Sequence, residues 1–262
     1  MSTCPICSAG MRHAFEAQVL HKYTAKYEVC EQCEFLRVQH PHWLEEAYSS
    51  AIAAADTGLV VRNVSLAFKV ASTLYWVFGE RGKGQYRDAA GGYGMLTRMM
   101  RDLGFNFYWS DAYCENLMAR GFEYTPAVGQ CEAVTAMEVM EHLTDPLTFV
   151  ENTLKESGAD SLIFTTELYE GAPPALDWWY YTFPTGQHIG FFSQRTLKSI
   201  ASRYGLKFFS ANGLHIFSRR SLSQSSLNWA SHPLTARLSS RLIRQQLGSK
   251  TVADHLQLMR RI

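Results

Sequence analysis

The chain predicts an α/β fold built on a doubly wound, mostly parallel sheet, and three observations predict it. From about residue 82 onward, short apolar runs alternate with helical periods, which is the mark of repeated β-α-β units. A glycine-rich turn, Asp88-Ala89-Ala90-Gly91-Gly92-Tyr93-Gly94, stands directly after one such run and directly before a helical period. Near the far end, Asn212-Gly213 separates two apolar runs. Both residues tolerate positive φ, so the sheet is expected to finish in an antiparallel hairpin.

The elements follow in order. Gln85–Ala89 reads as the first strand and Met95–Leu103 as the first helix; Phe107–Ser110 and a helix at Glu115–Arg120 come next. Ala133–Met137 is a further strand, and the helix after it starts at Pro146, whose missing N–H costs nothing in a first turn. Ser161–Thr165 is the next strand. Ser193 can cap a helix over Gln194–Tyr204 with its hydroxyl. Leu206–Ser210 and Leu214–Ser218 are the hairpin strands, and residues 221–262 read as one or two helices after a Ser-rich link. The expected organisation is a metal-binding module over 1–41, a helical linker over 42–80, the α/β domain over 81–220 and a helical extension over 221–262.

Four of the six cysteines form two pairs, Cys4-Pro5-Ile6-Cys7 and Cys30-Glu31-Gln32-Cys33. A two-residue gap lets both thiolates of a pair reach one tetrahedral ion from a tight turn. A structural zinc held by Cys4, Cys7, Cys30 and Cys33 is therefore expected. All four positions are filled by sulfur, so the site is closed and not catalytic. The module, too small for a large core, draws much of its folding energy from the metal. Its core is expected to be separate from that of the sheet. Cys114 and Cys131 read as small buried hydrophobes.

Composition narrows the function classes. Hydrophobic residues make up 47% and charged residues 19%, which suits a packed core. Lys plus Arg is 25 against 24 for Asp plus Glu, so whole-surface nucleic-acid binding is not expected. Arg219, Arg220, Arg237, Arg241, Arg244, Arg260 and Arg261 make the last third basic; a solvated helical face accounts for them better than a nucleic-acid or lipid patch. Leu59–Gly79 is the most apolar stretch, but Arg62, Asn63 and Lys69 interrupt it, so no membrane span is expected. Met1-Ser2-Thr3-Cys4-Pro5 has neither a basic start nor an apolar run, and a cytoplasmic protein with reduced thiols is expected.

The chemistry gathers behind the strands. Glycines at 91, 92 and 94 let a backbone turn sharply and approach a ligand. Asp111 ends the second strand, 23 residues after Asp88, where a carboxylate can take both hydroxyls of a ribose. A tight strand–helix turn and an ordinary N-cap account for the same residues. The stretch Met137-Glu138-Val139-Met140-Glu141-His142-Leu143-Thr144-Asp145-Pro146, together with Asp88–Gly94, resembles class I S-adenosylmethionine (SAM)-dependent methyltransferases. These often carry Glu-Val-Leu-Glu-His-Leu-x-Asp-Pro and Asp-x-Gly-x-Gly-x-Gly in these places; Ala90 departs from the first glycine. Trp178-Trp179-Tyr180-Tyr181 and Gly186-Gln187-His188-Ile189-Gly190-Phe191-Phe192-Ser193 resemble a bacterial subgroup, many members of which begin with paired Cys-x-x-Cys.

The resemblance implies a Rossmann-like domain that transfers a methyl group from SAM to a small-molecule acceptor such as a sugar, lipid precursor or other metabolite. It assigns Asp88, Gly92 and Gly94 to the methionine side of the cleft, Asp111 to the ribose, Ala112 and Tyr113 to the adenine, and Met137 and Glu138 to the cofactor's edge. His188 and His142 are the candidate bases, since a neutral imidazole near its free pKa suits proton removal. Each has a structural alternative: a backbone hydrogen bond for His142, packing for His188. The aromatic loop Trp178–Phe192 is either an acceptor wall or ballast for the N-terminal module. Two other functions share the sheet. An NAD-dependent oxidoreductase lacks its Gly-x-Gly-x-x-Gly here. A zinc-ribbon adaptor with a degenerate cofactor site finds its support in Ala90.

Overall fold

A computed structural model describes residues 2–49, 56–79 and 81–260. Part of the expected helical linker (50–55 and 80) and the basic Arg261 lie outside the described residues. The main sheet has six strands, β4 (Gln85–Ala89), β5 (Asn106–Ser110), β6 (Ala133–Ala136), β7 (Ser161–Phe164), β10 (Lys207–Ala211) and β11 (Leu214–Ser218). Their order is β10-β11-β7-β6-β4-β5. The four strands β4 to β7 run parallel, and β11 and β10 are antiparallel. The hairpin turns at Asn212 (φ 53°) and Gly213 (φ 76°), the double positive φ that the dipeptide favours.

Strand alternation sends side chains to two cores. Leu162, Phe164 and Phe217 face one layer, with α4 (Pro146–Ser157) and α5 (Gln194–Arg203); Ile163 and Ile216 face the other, with α2 (Leu59–Trp76), α3 (Met95–Asp102), α6 (Gln224–Ala230) and α7 (Pro233–Leu247). Helix α5 starts in a full capping box, Ser193 accepting from the Thr196 amide while Thr196 bonds back to Ser193. Among its described residues the tail holds three helices, not one or two: α6, α7 and α8 (Thr251–Met259). Helix α8 is fastened to α3 by a bidentate ion pair between Arg101 and Asp254, at 2.7 and 2.8 Å and buried on both sides.

A second sheet carries the N-terminus. Strands β1 (Met11–Val19), β2 (Tyr23–Cys30) and β3 (Leu36–Val38) continue into β9 (Gly190–Ser193) and β8 (Leu168–Tyr169), with Leu36 opposite Phe191. Its first three strands come from the cysteine segment and its last two from the loop after β7. The short helix α1 (Leu44–Ala47) follows β3.

Two expectations are corrected. The cysteine segment does not have a separate core: Cys4, Ile6, Met11, Cys30, Cys33 and Phe35 form one buried cluster with Val134, Leu162, Phe164 and Leu197 of the α/β body. Nor is there a helix at Glu115–Arg120. Side chains satisfy that backbone instead: Asp111 accepts from the amides of Tyr113 (2.7 Å) and Cys114 (2.8 Å), and Asn116 from that of Ala119 (2.9 Å). Asp and Asn compete with helix in this way when their oxygens reach nearby amides. Among the described residues no helix is long and apolar enough to cross a membrane.

Candidate functional site

The cysteine turns are built alike. In each, the first cysteine's carbonyl accepts from an amide four residues on, Ser8 or Glu34, and its own amide donates five residues on, to Ala9 or Phe35. Ser8 (φ 65°) and Glu34 (φ 63°) hold the left-handed conformation that closes each turn. The turns face each other with Cys4 and Cys33 Sγ 3.6 Å apart and Cys7 and Cys30 Sγ 3.4 Å apart, all four sulfurs lying within 4.8 Å and none in a disulfide. Zinc–sulfur bonds near 2.3 Å put sulfurs about 3.8 Å apart at the corners of a tetrahedron, so the donor set fits that ion. The Cys33 amide points at Cys30 Sγ (3.4 Å), the sort of outer hydrogen bond that steadies a thiolate. Without a cation the thiols cannot all ionise: the hydrogen bond from Cys33 pulls Cys4 down to about 5, while burial pushes Cys7 up.

The glycine-rich turn links β4 to α3. Asp88 is fully buried and bonded by the hydroxyls of Thr135 (2.7 Å) and Thr97 (3.0 Å), and burial raises its pKa to about 6. It ties β4, β6 and α3 together beneath the turn. A Cβ at Gly91 would stand 2.8 Å from the Asp88 carboxylate, so a side chain there is excluded. At Gly92 (φ 54°) nothing lies within 4 Å of a Cβ position, so the backbone is open to an incoming molecule. The Gly92 amide donates to Asp111 at 2.9 Å, bringing the end of β5 against the turn. Gly94 (φ 85°) begins α3 in a left-handed conformation. Ala90 also has positive φ, at 52°, although a methyl group is comfortable there only at negative φ; a non-glycine residue so placed costs on the order of 1 kcal/mol. Ala112 and Tyr113 are exposed, Tyr113 at 96%.

Beyond β6 the chain makes a second strained turn. Glu138 (φ 55°) accepts from the Thr165 hydroxyl at 2.6 Å, and Arg62 of α2 approaches it at 3.9 Å. Met137 beside it is half-buried. One turn on, Glu141, His142 and His188 converge, their ligand-type atoms all within 4.8 Å of one another. The imidazoles meet edge to face with centroids 4.8 Å apart. His188 Nδ1 donates to the Tyr180 carbonyl at 2.7 Å and His142 Nδ1 to the Gln187 carbonyl at 3.0 Å. A carbonyl only accepts, so the His188 proton sits on Nδ1 and its Nε2 keeps a lone pair; His142 Nδ1 lies between the Gln187 carbonyl and the Tyr48 hydroxyl, 2.9 Å away. Burial holds His142 near 4 and His188 near 3, the neighbouring ring adding to the second shift. Both rings are therefore neutral and poor at retaining a proton, unlike the imidazole near its free pKa expected from sequence.

The site residues thus fall into three groups. Asp88, Gly92, Gly94 and Asp111 surround one turn at the carboxyl ends of β4 and β5. Glu138, His142 and His188 gather beyond β6, the neighbour of β4. The four cysteines lie apart, on the α4/α5 side. Most of the aromatic loop is packing: Trp178, Tyr180, Tyr181, Phe183 and Phe191 join Phe15, Tyr27 and Leu36 under the second sheet, while Trp179 stays exposed at 68%. Sequence reasoning missed Glu141, although it belongs to the quoted Glu-Val-Met-Glu-His stretch. It also missed Tyr48, whose hydroxyl lies 2.9 Å from His142 Nδ1. No periodicity marks Tyr48; it is brought in by the turn after α1.

A parallel sheet whose candidate binding residues lie at the carboxyl ends of β4, β5 and β6, with a glycine turn opening α3, is a Rossmann-like fold of the kind that binds nucleotide-type cofactors. The match of residues 72–211 to the methyltransferase domain model settles which: the chain belongs to that family and is a SAM-dependent methyltransferase. Among solved structures it is similar to magnesium protoporphyrin IX methyltransferase from Synechocystis PCC 6803 with bound SAH, at 15% identity over 66% of this chain and 90% of that one, with a TM-score of 0.44. It is similar to TnmH (17%, 69% and 62%, TM-score 0.46), of which it spans under two thirds, and to human N-acetylserotonin methyltransferase in complex with SAM (12%, 68% and 66%, TM-score 0.44). No curated protein matches the chain.

Proposed function

We propose that the protein methylates a small-molecule acceptor, with SAM lying over the Asp88–Gly94 turn and the acceptor against the Glu141–His142–His188 cluster. One observation carries the reading. Asp111 reaches from the end of β5 to the Gly92 amide, so an open backbone and a half-exposed carboxylate face one position. Gly92, Gly94 and Asp88 form the methionine side; Ala112 and Tyr113 flank the base; Met137 and Glu138 form the edge. SAM supplies a methyl group on a sulfonium, already a good leaving group, so the chain's task is positioning. His188, with a free Nε2, serves as base or as ligand to the acceptor, and His142 stands beside it. The four cysteines hold a structural zinc, and the protein works in the cytoplasm.

Calorimetric titration with SAM tests this. Wild-type protein should bind one equivalent. Asp111→Ala should bind more weakly by about 1.5–3 kcal/mol, the range for hydrogen bonds to a charged group. Equal affinity in the variant would put the ribose elsewhere.

A further inference from the structure

Glu141 has no exposed surface, and neither carboxylate oxygen has a hydrogen-bond partner. The nearby hydroxyls of Thr166 and Tyr180 bond to each other at 3.1 Å and only weakly offset the burial that raises the pKa of Glu141 to about 8. Its closest approach to His142 Nε2 is 4.0 Å, too long for a hydrogen bond. An unpartnered buried carboxyl costs kilocalories and demands an explanation. The histidines give one. The His188 Nδ1–H is fixed by the Tyr180 carbonyl and leaves its Nε2 lone pair free, the tautomer that outer-shell hydrogen bonds impose on metal-ligating histidines; His142 Nδ1 is held between the Gln187 carbonyl and the Tyr48 hydroxyl, and neither partner engages its Nε2. Glu138, which adds a second negative field on Glu141, stands one turn away.

We infer that Glu141, His142 and His188 form a second metal site, one that takes a first-row divalent cation through one carboxylate oxygen and two Nε2 atoms. The inference deepens the proposed function and rests on it for the site's role. Nitrogen and carboxylate oxygen with no sulfur suits manganese, iron, cobalt or zinc. Bonds near 2.1 Å bring cis ligands to about 3 Å, so the Glu141–His142 pair, at 4.0 Å, closes by about 1 Å and no pair of the cluster by more than about 1.8 Å. Three protein ligands leave coordination positions open. They would take an oxygen acceptor, a hydroxyl or a pair of adjacent hydroxyls, and hold it beside Glu138 at the cofactor's edge. The two rings then act as ligands through Nε2.

The test titrates zinc-loaded protein with Mn²⁺ and follows loss of the free-ion electron paramagnetic resonance signal. The hard ion does not displace zinc from four thiolates. One equivalent should bind. Glu141→Gln and His188→Ala should each weaken it by on the order of a hundredfold, with zinc content and SAM affinity unchanged as evidence of folding. Wild-type protein that binds SAM and no Mn²⁺ overturns the inference and leaves the proposed function standing. Protein that binds Mn²⁺ and no SAM does the reverse. Should the variants misfold, Co²⁺ spectra of the wild type decide. Weak ligand-field bands without thiolate charge transfer support the site; thiolate bands alone overturn it.

Discussion

Among the described residues lie two clusters of ligand-type side chains, and they are made in opposite ways. The cysteine cluster comes from two local turns of like hydrogen bonding. It uses one kind of atom, fills all four positions and is packed into a core that runs on into the main sheet. The Glu141–His142–His188 cluster joins segments that the β7–β9 excursion brings together, mixes nitrogen with oxygen and leaves Glu141 unsatisfied. Closed and saturated arrangements hold a fold; open and unsatisfied ones are kept for ligands. If that contrast is right, damage to the first is read in stability and damage to the second in turnover.

The largest effect should come from Cys33→Ser. Cys33 is fully buried in the cluster shared with α4, α5 and the sheet. Loss of a ligand there should lower stability by more than about 4 kcal/mol, the scale of losing a metal, and should lower the melting temperature of the whole α/β body. Melting that spares the sheet would restore the separate module expected from sequence. Next is His188→Ala. Turnover should fall by about a hundredfold or more, with SAM affinity and melting temperature nearly unchanged. A large stability loss with normal turnover would make His188 a packing residue and erase the contrast.

His215 is the control. It is a buried histidine outside both clusters, with both nitrogens satisfied: Nε2 donates to the Thr166 carbonyl at 3.0 Å, and the Ser210 hydroxyl donates to Nδ1 at 2.9 Å. Burial lowers its pKa from 6.5 to about 4. The unfolded chain takes up the proton first, so this stability is complete above pH 6.5 and is lost as pH falls towards 4. At pH 5 the loss is about 2 kcal/mol. His215→Gln should remove this part of the difference between urea midpoints at pH 7 and pH 5 while leaving turnover unchanged. An undiminished difference would assign the acid sensitivity to other groups.

Legibility followed the same division. The cysteine pairs were readable because two-residue gaps encode a local turn. Strands β4, β6 and β7, the Ser193 cap and the Asn212-Gly213 hairpin were readable because each is fixed by neighbours in sequence. The helix at Glu115–Arg120 failed because Asp111 and Asn116 satisfy amides with side chains, a choice that composition does not reveal. The shared second sheet was hidden, since Leu36 meets Phe191 only after the whole α/β body has formed. His142 and His188 could be named, but their neutrality depends on burial, and Tyr48 and Glu141 acquire meaning only beside them.

The smallest prediction asks whether strain belongs to both regions alike. Ser8 and Glu34 close the cysteine turns in left-handed conformations, and Ala90 and Glu138 do so at the cleft. At Ala90 the penalty is on the order of 1 kcal/mol, and glycine removes it. Glycine also gives the unfolded chain more freedom, worth about 0.5–1 kcal/mol against folding. Ala90→Gly should therefore change stability by less than about 1 kcal/mol, measured by urea unfolding. Ala90 is exposed, so its methyl group supports no core. SAM affinity should stay the same or rise, because the first glycine usual in the motif is restored and the cleft widened. A marked loss of affinity would mean that the methyl group itself touches the cofactor, and the left-handed Ala90 would then be part of the binding surface instead of a tolerated departure.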